Sequence, residues 1–156
     1  MGLRVGMGTD AHRLEAGRPL MLGTLAVEHD AGLAGHSDGD VVAHAVCDAL
    51  LSASGGPDIG VLFPGTAEWA GVTGAQMITH VMARLGGEGA IPANVHVIIM
   101  CERPRIGPYR EAMEQALTAL VGAPVSVHAT TTDGMGFIGR GEGIGCQAVA
   151  LVEMPA

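Results

Sequence analysis

The fold is decided by the stretch LRVGMGTDAH at residues 3–12, in which two kinds of side chain alternate. Val5, Met7 and Thr9 are typical of one face of a β-strand. The opposite face carries two glycines and then two polar residues, namely Gly6, Gly8, Asp10 and His12. Side chains two residues apart in a strand point to the same side, so the aspartate and the histidine project together. The glycines leave room for something to approach.

A helical pattern follows the block HSDGD at residues 36–40 and predicts a helix over residues 38–54, capped by Ser37 or Asp38. Three polar residues of this pattern are four apart and form one stripe, namely Asp40, His44 and Asp48. The other positions are nearly all apolar, so the stripe faces either solvent or a site.

The rest of the chain predicts a single domain over residues 1–156. The pattern predicts a strand near 20–27, a helix at 73–85, a strand at 94–101, a helix at 108–121, and strands at 125–131 and 144–153. This order favours an α+β fold, with helices on one face of a mixed sheet in a ferredoxin-like split βαβ arrangement. Residues 58–71 have no period and are interpreted as an active or gating loop.

Composition excludes several functions. Eight basic residues against 16 acidic ones give a net charge of −8, which argues against nucleic acid as a partner. No apolar run approaches the ~20 residues of a membrane span, so no membrane association is expected. Three cysteines without a C-x-x-C pair favour reduced thiols in the core and a cytoplasmic location.

Together, Asp10, His12 and His44 form a three-ligand set with a vacant fourth position, which is typical of catalytic rather than structural zinc. For any one of these residues taken alone, a solvated face with a capping aspartate is the favoured interpretation, and the metal site is favoured only when they are taken together. The HSDGD block at the helix start favours anion binding, because free amide groups and the helix dipole meet there. An elaborate helix cap is the alternative, although it leaves His36 without a role.

A glycine-rich loop over residues 134–143 carries Phe137 and Arg140. Its backbone can approach a ligand closely, and the arginine can hold a phosphate. The loop lacks the pattern of a P-loop.

Several segments resemble the 2-C-methyl-D-erythritol 2,4-cyclodiphosphate synthase family, in the order of that family and over nearly the whole chain. They are GTDAH at 8–12, HSDGDVVAH at 36–44, DIGVLFP at 58–64, TTT at 130–132, GF at 136–137 and GRGEG at 139–143. The resemblance implies an enzyme of non-mevalonate isoprenoid biosynthesis that cyclises a cytidine-diphosphate substrate and releases CMP. It also implies a homotrimer with active sites between subunits.

The resemblance further implies roles for individual residues. Zinc or manganese would be held by Asp10, His12 and His44, and magnesium at the diphosphate by Asp133. His36 and Thr131 would stabilise the transition state. The segment 100–106 and residues 129–131 would form a cytidine pocket, which includes Met100, Cys101, Arg105, Ile106, Ala129, Thr130 and Thr131. Asp58, Gly60 and Phe63 would border the methylerythritol end of the substrate. Further substrate contacts are implied for Ser37, Asp40, Ile59, Gly65 and Thr132. Phe137 and Arg140 would also contact the substrate or face a central channel that holds an isoprenoid diphosphate.

Three positions depart from the usual pattern of that family. Asp133-Gly134 stands where relatives usually have Glu-Lys, Gly65 replaces an aspartate, and Arg105 replaces a lysine. Two other functions therefore compete with a cyclase. One is a zinc phosphoesterase that activates water. The other is a trimeric metal- or isoprenoid-diphosphate-binding protein whose second metal site has decayed.

Overall fold

The computed structural model describes residues 2–156, whose strands form a five-stranded sheet and a two-stranded hairpin. The strands are β1 (Gly2–Ala16), β2 (Leu20–Leu22), β3 (Leu25–Val27), β4 (Ala31–Leu33), β5 (Ile91–Met100), β6 (Val125–Thr130) and β7 (Gly143–Met154). The large sheet has the order β4-β1-β7-β5-β6, and β2 pairs with β3.

Strand directions make the large sheet mixed, as expected. β7 lies between β1 and β5 and is antiparallel to both, so β1 and β5 are parallel strands separated by a third. This is the predicted split βαβ unit. By contrast, β5 and β6 are adjacent and parallel. The α+β class with a mixed sheet is therefore confirmed.

The three long helices lie on one face of this sheet. The helices are α1 (Val41–Ser54), α2 (Ile59–Leu62), α3 (Gly74–Gly87), α4 (Arg110–Val121) and α5 (Gly136–Gly139), with 3-10 turns at Ala67–Trp69 and Gly107–Tyr109. α1 packs on β1 and β7, α4 packs on β6, and α3 packs on α1. None of the helices in residues 2–156 is long and apolar enough to cross a membrane.

Helix α1 begins later than the sequence predicts. It starts at Val41 and is capped by Asp40, whose carboxylate accepts the Ala43 N–H, rather than by Ser37 or Asp38. Gly39 has a φ of 76°, a left-handed conformation that cannot continue a right-handed helix. The segment interpreted as a loop contains α2 and the first 3-10 turn.

The glycines of β1 accommodate helix α1. A Cβ placed on Gly6 would lie 2.1 Å from the Ala49 carbonyl oxygen, and one placed on Gly8 would lie 2.1 Å from the Ala45 oxygen. The space expected beside these glycines is therefore filled by a helix rather than by a ligand. The contact brings the backbone of α1 directly against the strand.

The other face of the sheet has an apolar patch on β1 and β7 that remains exposed in the part of the chain that the structure describes. Leu3, Val5 and Met7 on β1 are 58–66% exposed, and Val149 on β7 is 40% exposed. All three cysteines, in contrast, are free and buried, which confirms the prediction of reduced core thiols.

We expect Gly8→Ala to destabilise the protein, because the added methyl group overlaps the α1 backbone. The expected loss is about 3 kcal/mol of unfolding free energy, at the upper end of overpacking effects. The matched control is Gly86→Ala in α3, where nothing lies within 4 Å of the added Cβ. This control should stabilise by about 0.5–1 kcal/mol. Urea unfolding measures both changes, and equal effects of the two variants would contradict the close contact.

Candidate active site

Strand β1 and helix α1 bring Asp10, His12 and His44 together. Asp10 Oδ2 lies 2.8 Å from His12 Nε2 and 2.8 Å from His44 Nδ1. The two ring nitrogens are 3.1 Å apart. The three residues predicted as ligands therefore form one cluster, in which one ligand atom from each lies within 4.8 Å of the others.

The outer nitrogens of both rings are held by other groups. His12 Nδ1 lies 2.6 Å from the Ala34 carbonyl oxygen, to which it donates. His44 Nε2 lies 3.0 Å from the Ser37 hydroxyl. When each outer nitrogen carries the ring proton, both inner nitrogens present lone pairs to the cluster. Hydrogen bonds of this kind orient histidine ligands around metals.

Electrostatics favour a negatively charged carboxylate at the centre. Burial raises the pKa of Asp10, but hydrogen bonds from His12 and His44 outweigh it and hold this pKa well below its ordinary value. The hydrogen bond to Asp10 raises the pKa of His12 against the opposing effect of burial.

The donor set fits a divalent cation. Two imidazole nitrogens and one carboxylate oxygen are ligands that zinc and manganese accept, and they converge from two rigid elements. The cluster opens on a cleft rather than being sealed by a fourth protein ligand, as in catalytic metal sites.

This cleft, of about 270 Å³, contains several of the predicted residues. Its lining includes the three cluster residues together with His36, Ser37, Ile59, Gly60 and Phe63. His36 Nε2 donates to the Thr66 carbonyl oxygen over 2.7 Å, which fixes the ring at the cleft. The lining also includes three residues that were not predicted from the sequence, namely Trp69, Val72 and Met77. Of these, only Trp69 could have been singled out, because it is the one tryptophan of the chain.

Asp40 was wrongly predicted to contact substrate. Its side chain is fully buried. Oδ1 accepts the N–H groups of Gly23 and Ala43, and Oδ2 accepts that of Thr24. Burial raises the pKa of Asp40, and these hydrogen bonds oppose the increase. The residue joins the β2–β3 hairpin to the start of α1, so no part of the carboxylate is left for a ligand.

Asp48, the last residue of the predicted stripe, also binds backbone. Its Oδ1 accepts the Ile59 N–H over 2.9 Å and so ties α1 to the segment that forms one wall of the cleft. Burial raises the pKa of Asp48. Asp58 caps α2 by accepting the Val61 N–H. Neither Asp58 nor Gly65 lines the cleft beside the Asp10-His12-His44 cluster.

A second cleft, of about 510 Å³, lies at the carboxyl ends of the parallel strands β5 and β6. Six residues predicted for cytidine binding line it, namely Cys101, Arg105, Ile106, Ala129, Thr130 and Thr131. Met100 is half-buried and lies outside this lining. The ends of parallel strands are common ligand sites, because the connecting loops diverge there.

The other predicted residues lie on exposed turns. Thr132 and Asp133 come two and three residues after Thr130, the last residue of β6. Phe137 is 46% exposed on α5, and Arg140 pairs with Glu142 over 2.8 Å. The linings of the two clefts have no residue in common.

The register of the sheet separates the two clefts. Asp10 pairs with Cys146, Cys146 with Ile99, and Ile99 with Ala129. Three strand spacings of ~4.8 Å therefore lie between Asp10 and Ala129, or about 14 Å.

Fold and site together define a class: an α+β protein that presents an open Asp-His-His metal-type centre and a separate cleft at the ends of parallel strands. The YgbB family model matches residues 3–153. The 2-C-methyl-D-erythritol 2,4-cyclodiphosphate synthase of Cutibacterium acnes is 52% identical over 153 residues, which cover 96% of this chain and 90% of that relative.

Solved structures agree. A 2-C-methyl-D-erythritol 2,4-cyclodiphosphate synthase in its CDP-bound form has a TM-score of 0.88 at 35% identity, covering 96% of this chain and all of that one. The bifunctional IspDF from Campylobacter jejuni has a TM-score of 0.94 at 30% identity, with 99% of this chain matched to 43% of that longer one.

The chain therefore belongs to the YgbB family. Two relatives at 52% and 47% identity are named 2-C-methyl-D-erythritol 2,4-cyclodiphosphate synthase, and others at 49% and 50% are named bifunctional enzyme IspD/IspF. The resemblance found in the sequence is confirmed.

We expect His12→Ala and His44→Ala each to remove about one equivalent of bound zinc or manganese per chain, since two remaining ligands hold such an ion poorly. His29→Ala, outside the cluster, is the matched control. Elemental analysis after dialysis against the metal measures the content, and circular dichroism checks the fold. Full metal content in both cluster variants would disprove the site.

Proposed function

We propose that this chain converts 4-diphosphocytidyl-2-C-methyl-D-erythritol 2-phosphate to 2-C-methyl-D-erythritol 2,4-cyclodiphosphate and CMP, in non-mevalonate isoprenoid biosynthesis. The observation that carries the proposal is the Asp10-His12-His44 centre, which opens on a cleft lined by His36. Membership of the family supports it, as does the CDP-bound state of a similar solved structure.

The proposed reaction is a transfer within one molecule. An oxygen of the 2-phosphate attacks the β-phosphorus, a new P–O bond forms, and the bond to the α-phosphate breaks with CMP as the leaving group. No protein nucleophile is required. The protein holds the attacking and leaving oxygens in line, and positioning of this kind supplies up to ~7–11 kcal/mol.

The metal-type centre would hold zinc or manganese through Asp10, His12 and His44. A divalent ion held there would supply positive charge and Lewis acidity to the phosphate groups. Without an ion, hydrogen bonds from the two histidines hold the pKa of Asp10 low despite burial, so the carboxylate is already ionised and able to bind one. Magnesium at the diphosphate would be held by Asp133, whose side chain is exposed beside the second cleft.

The remaining walls would orient the methylerythritol and cytidine ends. Phe63 and Trp69 pack edge to face with ring centroids 4.9 Å apart, forming an apolar wall suited to a methyl-bearing carbon chain. His36, fixed by Thr66, would contact the phosphate and stabilise it as charge develops. Thr131 would act in the same way from the cytidine cleft, where Arg105 supplies a positive charge.

A homotrimer is part of the proposal. The uncovered apolar sheet face of Leu3, Val5, Met7 and Val149 is the kind of surface that associates with another subunit. Because the two clefts are separate within one chain, each active site would combine the metal-type centre of one subunit with the cytidine cleft of a neighbour. Phe137 and Arg140, both exposed, would then face a central channel that accepts an isoprenoid diphosphate.

Buried free thiols are in keeping with a cytoplasmic setting.

Product analysis separates the proposed cyclase from a phosphoesterase. We expect each turnover to give one CMP and one cyclic diphosphate, because the substrate's own phosphate is held in line. Phosphorus NMR should show two coupled diphosphate resonances and no orthophosphate. A reaction without protein is the control, and CMP together with a linear bisphosphate would mean that water is the nucleophile.

The aspartate at position 133 provides the test of the second metal. We expect Asp133→Asn to lose most activity and to require at least tenfold more magnesium, since a neutral amide is a poor magnesium ligand. Asp30→Asn, at a carboxylate that is 94% exposed, is the matched control. A magnesium titration of initial rates measures both. Parent-like behaviour of the Asp133 variant would refute the assignment.

A further inference from the structure

Glu102 lies two residues beyond the end of β5 and reaches across to the segment that follows β6. Its Oε1 accepts the Thr132 N–H over 3.0 Å and the Gly134 N–H over 3.3 Å. The Thr132 hydroxyl oxygen lies 3.4 Å from the same carboxylate oxygen. One carboxylate oxygen of this half-buried residue thus accepts two backbone N–H groups from a single turn.

The turn that Glu102 holds has a defined backbone shape. Asp133 has a φ of 55° and Gly134 a φ of 75°, so two consecutive residues are left-handed. The Met135 N–H donates to the Thr132 carbonyl oxygen over 3.0 Å, and this pattern is typical of a type I′ turn, in which Asp and Gly are favoured. Contacts from outside the turn then determine where it lies relative to the cleft.

Two side-chain hydrogen bonds also lie inside the turn. The Asp133 N–H donates to the Thr131 hydroxyl over 3.3 Å, and the Thr132 hydroxyl donates to the Met135 carbonyl oxygen over 2.7 Å. From outside the turn, the adjoining Thr130 hydroxyl donates to the Thr131 carbonyl oxygen over 3.2 Å. Within residues 2–156, Glu102 is the one side chain from a distant part of the sequence that hydrogen bonds to the turn, and it therefore anchors the segment that presents Thr131 and Asp133.

We propose that Glu102 is a positioning residue, which fixes Thr131 and Asp133 relative to the cytidine cleft. This inference rests on the proposed function, because it assigns a purpose to two residues of that reaction. Glu102 lines the cytidine cleft, so the same side chain links the nucleotide-binding loop to the turn. No ion pair of residues 2–156 includes Glu102, so its role is that of a hydrogen-bond acceptor.

The acceptor role makes Glu102→Gln the informative variant. Its side-chain carbonyl oxygen still accepts the two N–H groups, whereas Glu102→Ala leaves them without a partner. A role as metal ligand or as a negative charge would instead be lost in both variants. Glu111→Ala, an exposed glutamate on α4, is the matched control for the change in residue and charge.

The experiment compares these variants in two ways. Amide hydrogen exchange at Thr132 and Gly134, followed by NMR in the protein without substrate, should become at least tenfold faster in Glu102→Ala. In the same variant kcat should fall at least tenfold while KM stays within threefold. Glu102→Gln and Glu111→Ala should stay within threefold of the parent in all three quantities.

Several results would overturn the proposal. Parent-like exchange in Glu102→Ala would show that the turn needs no anchor, whatever the activity. Faster exchange with a parent-like kcat would show that the anchor does not serve the reaction, and failure of Glu102→Gln would show that charge is required. If the parent forms no cyclic product, the proposed function fails, and the exchange data alone still decide whether Glu102 anchors the turn.

Discussion

Helix α1 lies against strand β1 so closely that a Cβ at Gly8 would overlap the Ala45 carbonyl group. The metal-type centre depends on this approach. Asp10 continues the face of Gly8 along the strand, and His44 precedes Ala45 on the helix. A bulkier residue at position 8 would push the helix outward, and the three ligand atoms would no longer converge. The small core residues of this chain thus serve the site as well as the packing.

The carboxylates around the start of α1 serve mainly as hydrogen-bond acceptors for backbone N–H groups. Asp38 accepts the N–H groups of Asp40 and Gly74, and Asp40 accepts three more. Together they bind the β2–β3 hairpin and the start of α3 to α1. This network fixes Ser37, which in turn orients the His44 ring. The polar HSDGD block at residues 36–40 therefore serves largely to hold the elements of the site in place.

Local periodicity was sufficient to predict the main strands and helices, and to place Asp10, His12 and His44 together. The substrate contact that the resemblance implied for Asp40 does not fit the structure. The N–H donors of Gly23 and Thr24 that occupy its carboxylate come from a hairpin that no sequence pattern near α1 reveals. The sequence near β1 also could not show that a helix fills the space beside Gly6 and Gly8. That outcome depends on the path of α1, which starts some 30 residues later. Contacts distant in the sequence, such as Glu102 with the turn after β6, have no local signature.

In the proposed trimer, the metal-type centre of one subunit would work with the cytidine cleft of another. Mixing two inactive variants, His12→Ala and Thr131→Ala, tests this arrangement most directly. After subunit exchange, a hybrid trimer contains interfaces at which both missing residues are supplied by intact copies. The account predicts that cyclic diphosphate formation returns to a substantial fraction of the parent rate. No recovery in a mixture shown by mass spectrometry to contain hybrids would contradict it.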